Sequence, residues 1–170
     1  MKRLLTFLLL IATLATAHAN PGFNGRWRLD TAASSALDGW TKADLVITVD
    51  GPSVAILHDM TWRSTRLSAT NTFDTKAPSE LKNFFRIEQR HMAVYPAKHG
   101  ITRATAAWID ENRTLRTEVF TPVEVSQGDV MMRITSEYRL SELGDTLTLI
   151  ELHSSRNRPL VYVFKKVTAA

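Results

Sequence analysis

The chain has 170 residues, 44% of them apolar, with 21 Lys and Arg against 17 Asp and Glu and no cysteine, a balance that suits one globular domain. Without cysteine it has no disulfide framework, thiol nucleophile, Cys-ligated zinc site or lipidated cysteine anchor. The formal charge of +4 falls to +2 when Lys2 and Arg3 of the leader are set aside, too small an excess for a protein that binds nucleic acid by neutralising phosphates.

Met1-Lys2-Arg3 precedes the apolar run from Leu4 to Leu14, and small residues then lead to Ala17-His18-Ala19 before Asn20-Pro21-Gly22. A positive start, an apolar middle and an Ala-x-Ala exit read as a secretory signal peptide over 1–19, leaving one domain at 20–170. The run falls short of the roughly 20 apolar residues that a spanning helix needs, and no later segment reaches that length. The expectation is therefore an exported protein, periplasmic or secreted, with no integral membrane span once the leader is cleaved.

Beyond the leader, apolar and polar residues alternate with period two, and Gly, Asp, Asn and Pro break the pattern at short intervals. Gly25–Leu29 reads as a first strand, and the Ala- and Ser-rich stretch behind it as a helical turn capped by Asp30. Leu45, Ile47 and Val49 share one strand face; Asp50-Gly51 turns the chain, and Val54, Ile56 and His58 return on the next. One strand is expected from about Trp62 to Phe73, and Ala77–Asn83 is open between a loop and a helical turn. Strand pattern resumes through Phe85, Ile87, Gln89, Met92, Val94 and Tyr95, then Thr102–Ile109, Leu115–Val119, Val130–Leu140, Thr146–Leu152 and Leu160–Val167. The fold class implied is all-β, an antiparallel up-and-down meander closed into a barrel of roughly 8–10 strands with little helix.

Phe23-Asn24-Gly25-Arg26-Trp27-Arg28-Leu29-Asp30, directly after the leader, resembles the G-x-W first strand of lipocalins and their calycin relatives, especially small exported bacterial lipocalin-like proteins. Tyr138-Arg139-Leu140-Ser141, Gly144-Asp145-Thr146-Leu147 and the closing Val161-Tyr162-Val163-Phe164-Lys165-Lys166 extend the likeness along the chain. The resemblance implies a lipocalin-like barrel in which Gly25 and Trp27 serve barrel closure, Trp27 lying beneath a basic residue of the last strand, Lys165 or Lys166. The Thr-Asp-x-x-Tyr turn of core lipocalins is absent, and Tyr162-Val163-Phe164 stands where intracellular fatty-acid carriers have Arg-x-Tyr.

No catalytic residue, metal site or cofactor is read from the sequence. His58, His91, His99 and His153 lack a ligand spacing and are expected as scattered loop or surface residues; no Gly-x-Ser-x-Gly elbow or phosphate-cradling glycine loop occurs. Arg133, Thr135 and Glu137 share one strand face, opposite Met132, Ile134, Ser136 and Tyr138. The first face reads either as solvated or as presenting an inward Arg133 to a ligand carboxylate. Candidate pocket-lining residues are Trp62, Phe73, Phe85, Trp108, Met132, Arg133, Tyr138 and Tyr162, whose aromatic, thioether and cationic groups suit an apolar or amphipathic small molecule. A binding protein without covalent chemistry is the leading expectation. The alternatives are a cell-envelope interaction protein with a filled barrel and an isomerase- or cyclase-type enzyme in a calycin barrel; the protein partner is left open.

Overall fold

The computed structural model describes residues 19–37, 40, 42–86, 95–96, 100–125 and 127–168. All but the last residue of the leader expected at 1–19 lies outside these, as do His91 and His99 and most of the strand expected after Phe85. Among the described residues no helix is long and apolar enough to cross a membrane. A 3-10 turn, Pro21–Phe23, opens the structure, with Asn20 accepting from the Gly22 amide at its N-cap. Eleven strands follow: β1 Gly25–Leu29, β2 Lys42–Asp50, β3 Ser53–Trp62, β4 Thr65–Asp74, β5 Ser79–Leu81, β6 Tyr95–Pro96, β7 Thr102–Ile109, β8 Thr114–Val125, β9 Gly128–Leu140, β10 Thr146–His153 and β11 Leu160–Lys166.

The strands form one antiparallel sheet in the order β4-β3-β2-β1-β11-β10-β9-β8-β7-β5, with β6 added beside β8. Pairing of β1 with β11 joins the two ends of the chain, with Trp27 opposite Lys166 and Leu29 opposite Phe164, so the meander curls into an almost closed barrel. Alternation then fixes what lies inside. Along β3, Val54, Ile56, His58 and Met60 are buried; along β9, Met132, Ile134, Ser136 and Tyr138; along β10, Leu147, Leu149, Glu151 and His153.

Among the described residues one seam lacks a ladder. β4 lies against β7 without pairing to it, and a side chain bridges part of the space. The buried Asn71 amide donates to the Phe85 carbonyl at 2.6 Å, and its oxygen accepts from the Phe85 N–H at 2.9 Å. An amide side chain thereby supplies the two bonds that a strand neighbour would.

The end of the barrel near Gly25 is closed. Trp27 is fully buried, and its indole N–H donates to the Phe23 carbonyl at 2.8 Å. Phe23 meets Trp108 edge-on with centroids 5.0 Å apart. Lys166, not Lys165, stands over Trp27, its ammonium 4.9 Å from the ring and bonded to the Gly22 carbonyl at 2.9 Å. Gly25 holds φ of +128°, and a Cβ there would meet the Lys166 chain at 3.4 Å.

On the outer face, a buried carboxylate pins β1, β2 and β3 together. Asp44 pairs with Arg26 at 2.9 Å, Arg28 at 3.3 Å and Lys42 at 3.5 Å, and Arg26 also reaches Asp59 at 2.6 Å. Burial by itself raises the Asp44 carboxyl, but the bonds from Arg28 and Arg26 and the charge of Lys42 outweigh it and hold the group below the usual carboxylate range.

Three expectations on local structure are corrected. Residues 31–35 are no helical turn. Asp30 accepts from the amides of Ala32 and Ala33, and Ser34 and Ser35 then bond to the backbone of Val163 and Val161. Serine hydroxyls thus continue the pairing of β11 beyond the end of β1, which a helix would leave open. Ala77–Asn83, open between loop and helical turn, instead contains β5, laid antiparallel along β7. The strand expected from about Trp62 to Phe73 starts at Thr65, and Trp62 instead ends β3, because Arg63 with φ of +52° turns β3 into β4.

Candidate functional site

The interior is apolar at most positions, so its polar side chains mark it. The principal group sits on three neighbouring strands, β8, β9 and β10. Register places Glu151 opposite Ser136, Ser136 opposite Thr117, and His153 opposite Ile134. Glu151 and His153 are two residues apart on β10 and therefore share the inner face. Glu151 Oε1 lies 2.6 Å from His153 Nε2, and Ser136 Oγ donates to Glu151 Oε2 at 3.2 Å. All three residues are buried.

Tyrosines flank the pair. Tyr138 of β9 and Tyr162 of β11 both stand opposite Leu149, one diagonal step from Glu151 on either side, within reach of long side chains. Both are buried, and the Tyr162 hydroxyl has no hydrogen-bond partner among the described residues. Burial raises both phenols, and the charge of Glu151 raises them further, while Arg156 pulls Tyr162 partly back. Both are protonated at neutral pH and available as donors. Nε of Arg156, in the turn after β10, is likewise buried and unbonded among the described residues.

A second polar residue stands on the β3 side. His58 lies opposite Leu45 and Ala69, and its ring sits 4.9 Å from that of Phe85. Neither ring nitrogen finds a partner among the described residues. Burial pushes the imidazole down to about 4, so it is neutral under ordinary conditions. Arg86, the next residue after Phe85, is buried with Nη1 3.8 Å from Met132 Sδ. Phe84–Arg86 thus lies across the barrel, touching β3 through Phe85 and β9 through Arg86.

The residues read from the sequence as pocket lining divide accordingly. Phe73 and Met132 are buried on the inner face, Phe85 covers His58, and Tyr138 and Tyr162 frame Glu151. Trp108 is half-buried at the closed end against Phe23. Trp62 ends β3, and its side chain lies outside the described residues. Arg133 is corrected: it is exposed on the outer face of β9, because the inward residues are its neighbours Met132 and Ile134. The expectation of scattered loop or surface histidines also fails for His58 and His153, both buried within strands. Among the described residues, no group of three or more His, Asp or Glu side chains converges as a metal site.

Glu151, His153, Ser136 and His58 were not picked out as site residues. Alternation carries a signal for each, since Glu151 and His153 continue the face of Leu147 and Leu149. What alternation does not show is that Glu151, His153 and Ser136 meet across β9 and β10, which depends on register.

No protein-family model and no curated protein matches the sequence. The architecture is similar to several solved structures. A fatty acid transporter designated REP1-NXSQ is 10% identical with a TM-score of 0.55, over 89% of this chain and all of that one. A Schistosoma mansoni fatty acid binding protein, solved in complex with arachidonic acid, is 10% identical with a TM-score of 0.51, over 86% of this chain and 97% of its own. The secretory abundant heat soluble protein 4 of Ramazzottius varieornatus is also 10% identical, with a TM-score of 0.50, over 88% of this chain and 98% of its own. Likeness at this identity concerns architecture, and on that level the conclusion is plain: the chain has an antiparallel up-and-down β-barrel fold of the kind seen in these fatty-acid-binding structures.

Proposed function

We propose that the protein is an exported binding protein that holds a small apolar or amphipathic molecule inside the barrel and performs no covalent chemistry on it. The observation that carries this reading is the Tyr162 hydroxyl, buried on the inner face one diagonal step from Glu151 and without a hydrogen-bond partner among the described residues. An unpaired buried hydroxyl costs about 1–3 kcal/mol, a cost that a ligand's polar end would remove. Two of the similar structures bear names of fatty acid carriers and one does not, so fold alone does not assign the activity. Export rests on the leader ending at Ala19.

The reading is tested with Nile red, a neutral apolar fluorophore. Saturable enhancement of its emission with a stoichiometry near one is expected, because a barrel interior offers one enclosed apolar site. Enhancement that never saturates, or none, would mean that the dye meets only the outer surface and that the interior is filled by side chains.

A further inference from the structure

Resting on that reading, we propose that the polar group around Glu151 is a head-group site for an apolar molecule ending in a hydroxyl, and that it disfavours the free carboxylic acid of the same skeleton. The Glu151 and His153 side chains lie on the inner face of β10 and keep 8% and 7% of their exposure, so neither is wholly sealed by its neighbours.

Counting donors and acceptors selects the head group. Glu151 takes one bond from Ser136 and makes one contact with His153, whereas a carboxylate has about four lone-pair sites. It therefore retains the capacity to accept. Tyr162, one diagonal step from Glu151 at its β11 position, offers an O–H, and Arg156 an Nε–H, that no described residue engages. The site thus presents an acceptor and donors together.

A ligand carboxylate has only acceptors. It would suit Tyr162 and Arg156, but its charge would stand beside that of Glu151 in a medium that screens weakly, where two neighbouring carboxylates do not both ionise readily. An ammonium has only donors and leaves Tyr162 without the acceptor its O–H lacks, while Arg156 repels it. A hydroxyl has one donor and two lone pairs. It can donate to Glu151 and accept from Tyr162 at once, while its apolar body meets Leu149, Leu160 and Ile134, all buried on the same inner face.

The test displaces Nile red from delipidated protein with dodecanol, dodecanoate and dodecylamine, which share one chain and differ in the head. Dodecanol is expected to displace the dye at about tenfold lower concentration than dodecanoate. Glu151→Gln removes the repulsion and is expected to abolish that preference, and Tyr162→Phe to weaken dodecanol by about fivefold. Dodecanoate competing as well as dodecanol in the wild type, with Nile red bound normally, would overturn the head-group assignment and leave the ligand reading standing. A preference that persists unchanged in Glu151→Gln would overturn it too. Failure of Nile red to bind would remove both readings. Urea unfolding of each variant establishes that it is folded, and the wild-type series decides the matter if one is not.

Discussion

Trp27→Ala is expected to lower the free energy of unfolding by about 4 kcal/mol, near the middle of the range for removing a large aromatic side chain from a core. The indole is fully buried, and its N–H holds the Phe23 carbonyl at 2.8 Å. Phe23 in turn packs on Trp108 of β7, so one ring ties the opening turn, the first strand and the far side of the sheet. Its loss opens a void where β1 joins β2 and β11, the pairing that links the chain's two ends. With a urea dependence of about 2 kcal/mol per molar, the unfolding midpoint should fall by about 2 M. Lys166→Met is expected to cost only about 1 kcal/mol. It removes one bond to the Gly22 carbonyl and one cation over a ring, each modest at a partly exposed position. Equal losses from the two substitutions would contradict the view that Trp27 is the keystone of the closed end. Trp27→Phe, which keeps the ring and loses the N–H, supplies an intermediate value if the alanine variant does not fold.

Acid should weaken the protein through His58 before Asp44 and Asp59 are protonated. The imidazole titrates near 6.5 when free and near 4 in the folded barrel. Between those values the unfolded chain binds a proton that the native chain refuses. Stability therefore falls as the pH drops from about 6.5 toward about 4 and levels off below, and the group contributes no slope at neutral pH and above. The difference corresponds to about 3 kcal/mol. His58→Leu is expected to remove this slope. It should also raise stability at neutral pH by about 1 kcal/mol or more, since two buried nitrogens without partners among the described residues disappear. Urea unfolding at a series of pH values between about 7 and 4 reads both effects. A variant with the wild-type pH profile would show that His58 is not the responsible group. Asp44 and Asp59, whose carboxyls are held low by Arg26, Arg28 and Lys42, add their own loss only at lower pH, as each is protonated.

A stable barrel has no need of a neutral histidine, a carboxylate–histidine pair and an unsatisfied tyrosine on its inner face. Leucine at position 58 would pack beside Leu45 and Ala69 without a desolvation cost. Their presence is understandable if the interior is built for contents other than its own side chains, and the cost they impose is the kind that functional sites carry.

The strands were readable because each hairpin pairs period-two alternation with turn residues that reverse the chain. Asp110-Glu111-Asn112 turns with three successive positive φ values of 51°, 54° and 66°, and Gly144-Asp145 separates β9 from β10. Where the turn lacks such residues the reading failed. Trp62-Arg63-Ser64-Thr65 contains no Gly, Pro, Asn or Asp, and the boundary between the two strands falls at Arg63–Ser64 and not before Trp62, where the pattern puts it. Ser34 and Ser35 were equally opaque, since their partners in β11 lie more than a hundred residues along the chain. The inner face of β9 followed from alternation through Met132, Ile134, Ser136 and Tyr138, yet Arg133 was carried into the candidate pocket from the other face. The polar group was hidden for a different reason. Glu151, Ser136 and Tyr162 come from three strands, and only their mutual register brings them together.

The central claim, that the barrel is a container for a small molecule, is tested most directly by native mass spectrometry of the protein purified from its natural source, followed by organic extraction. A discrete added mass released by solvent, one molecule per chain, is the expected result, and the extract identifies its head group. A bare chain mass from the natural source, joined with failure to take up Nile red or dodecanol afterwards, would contradict the claim.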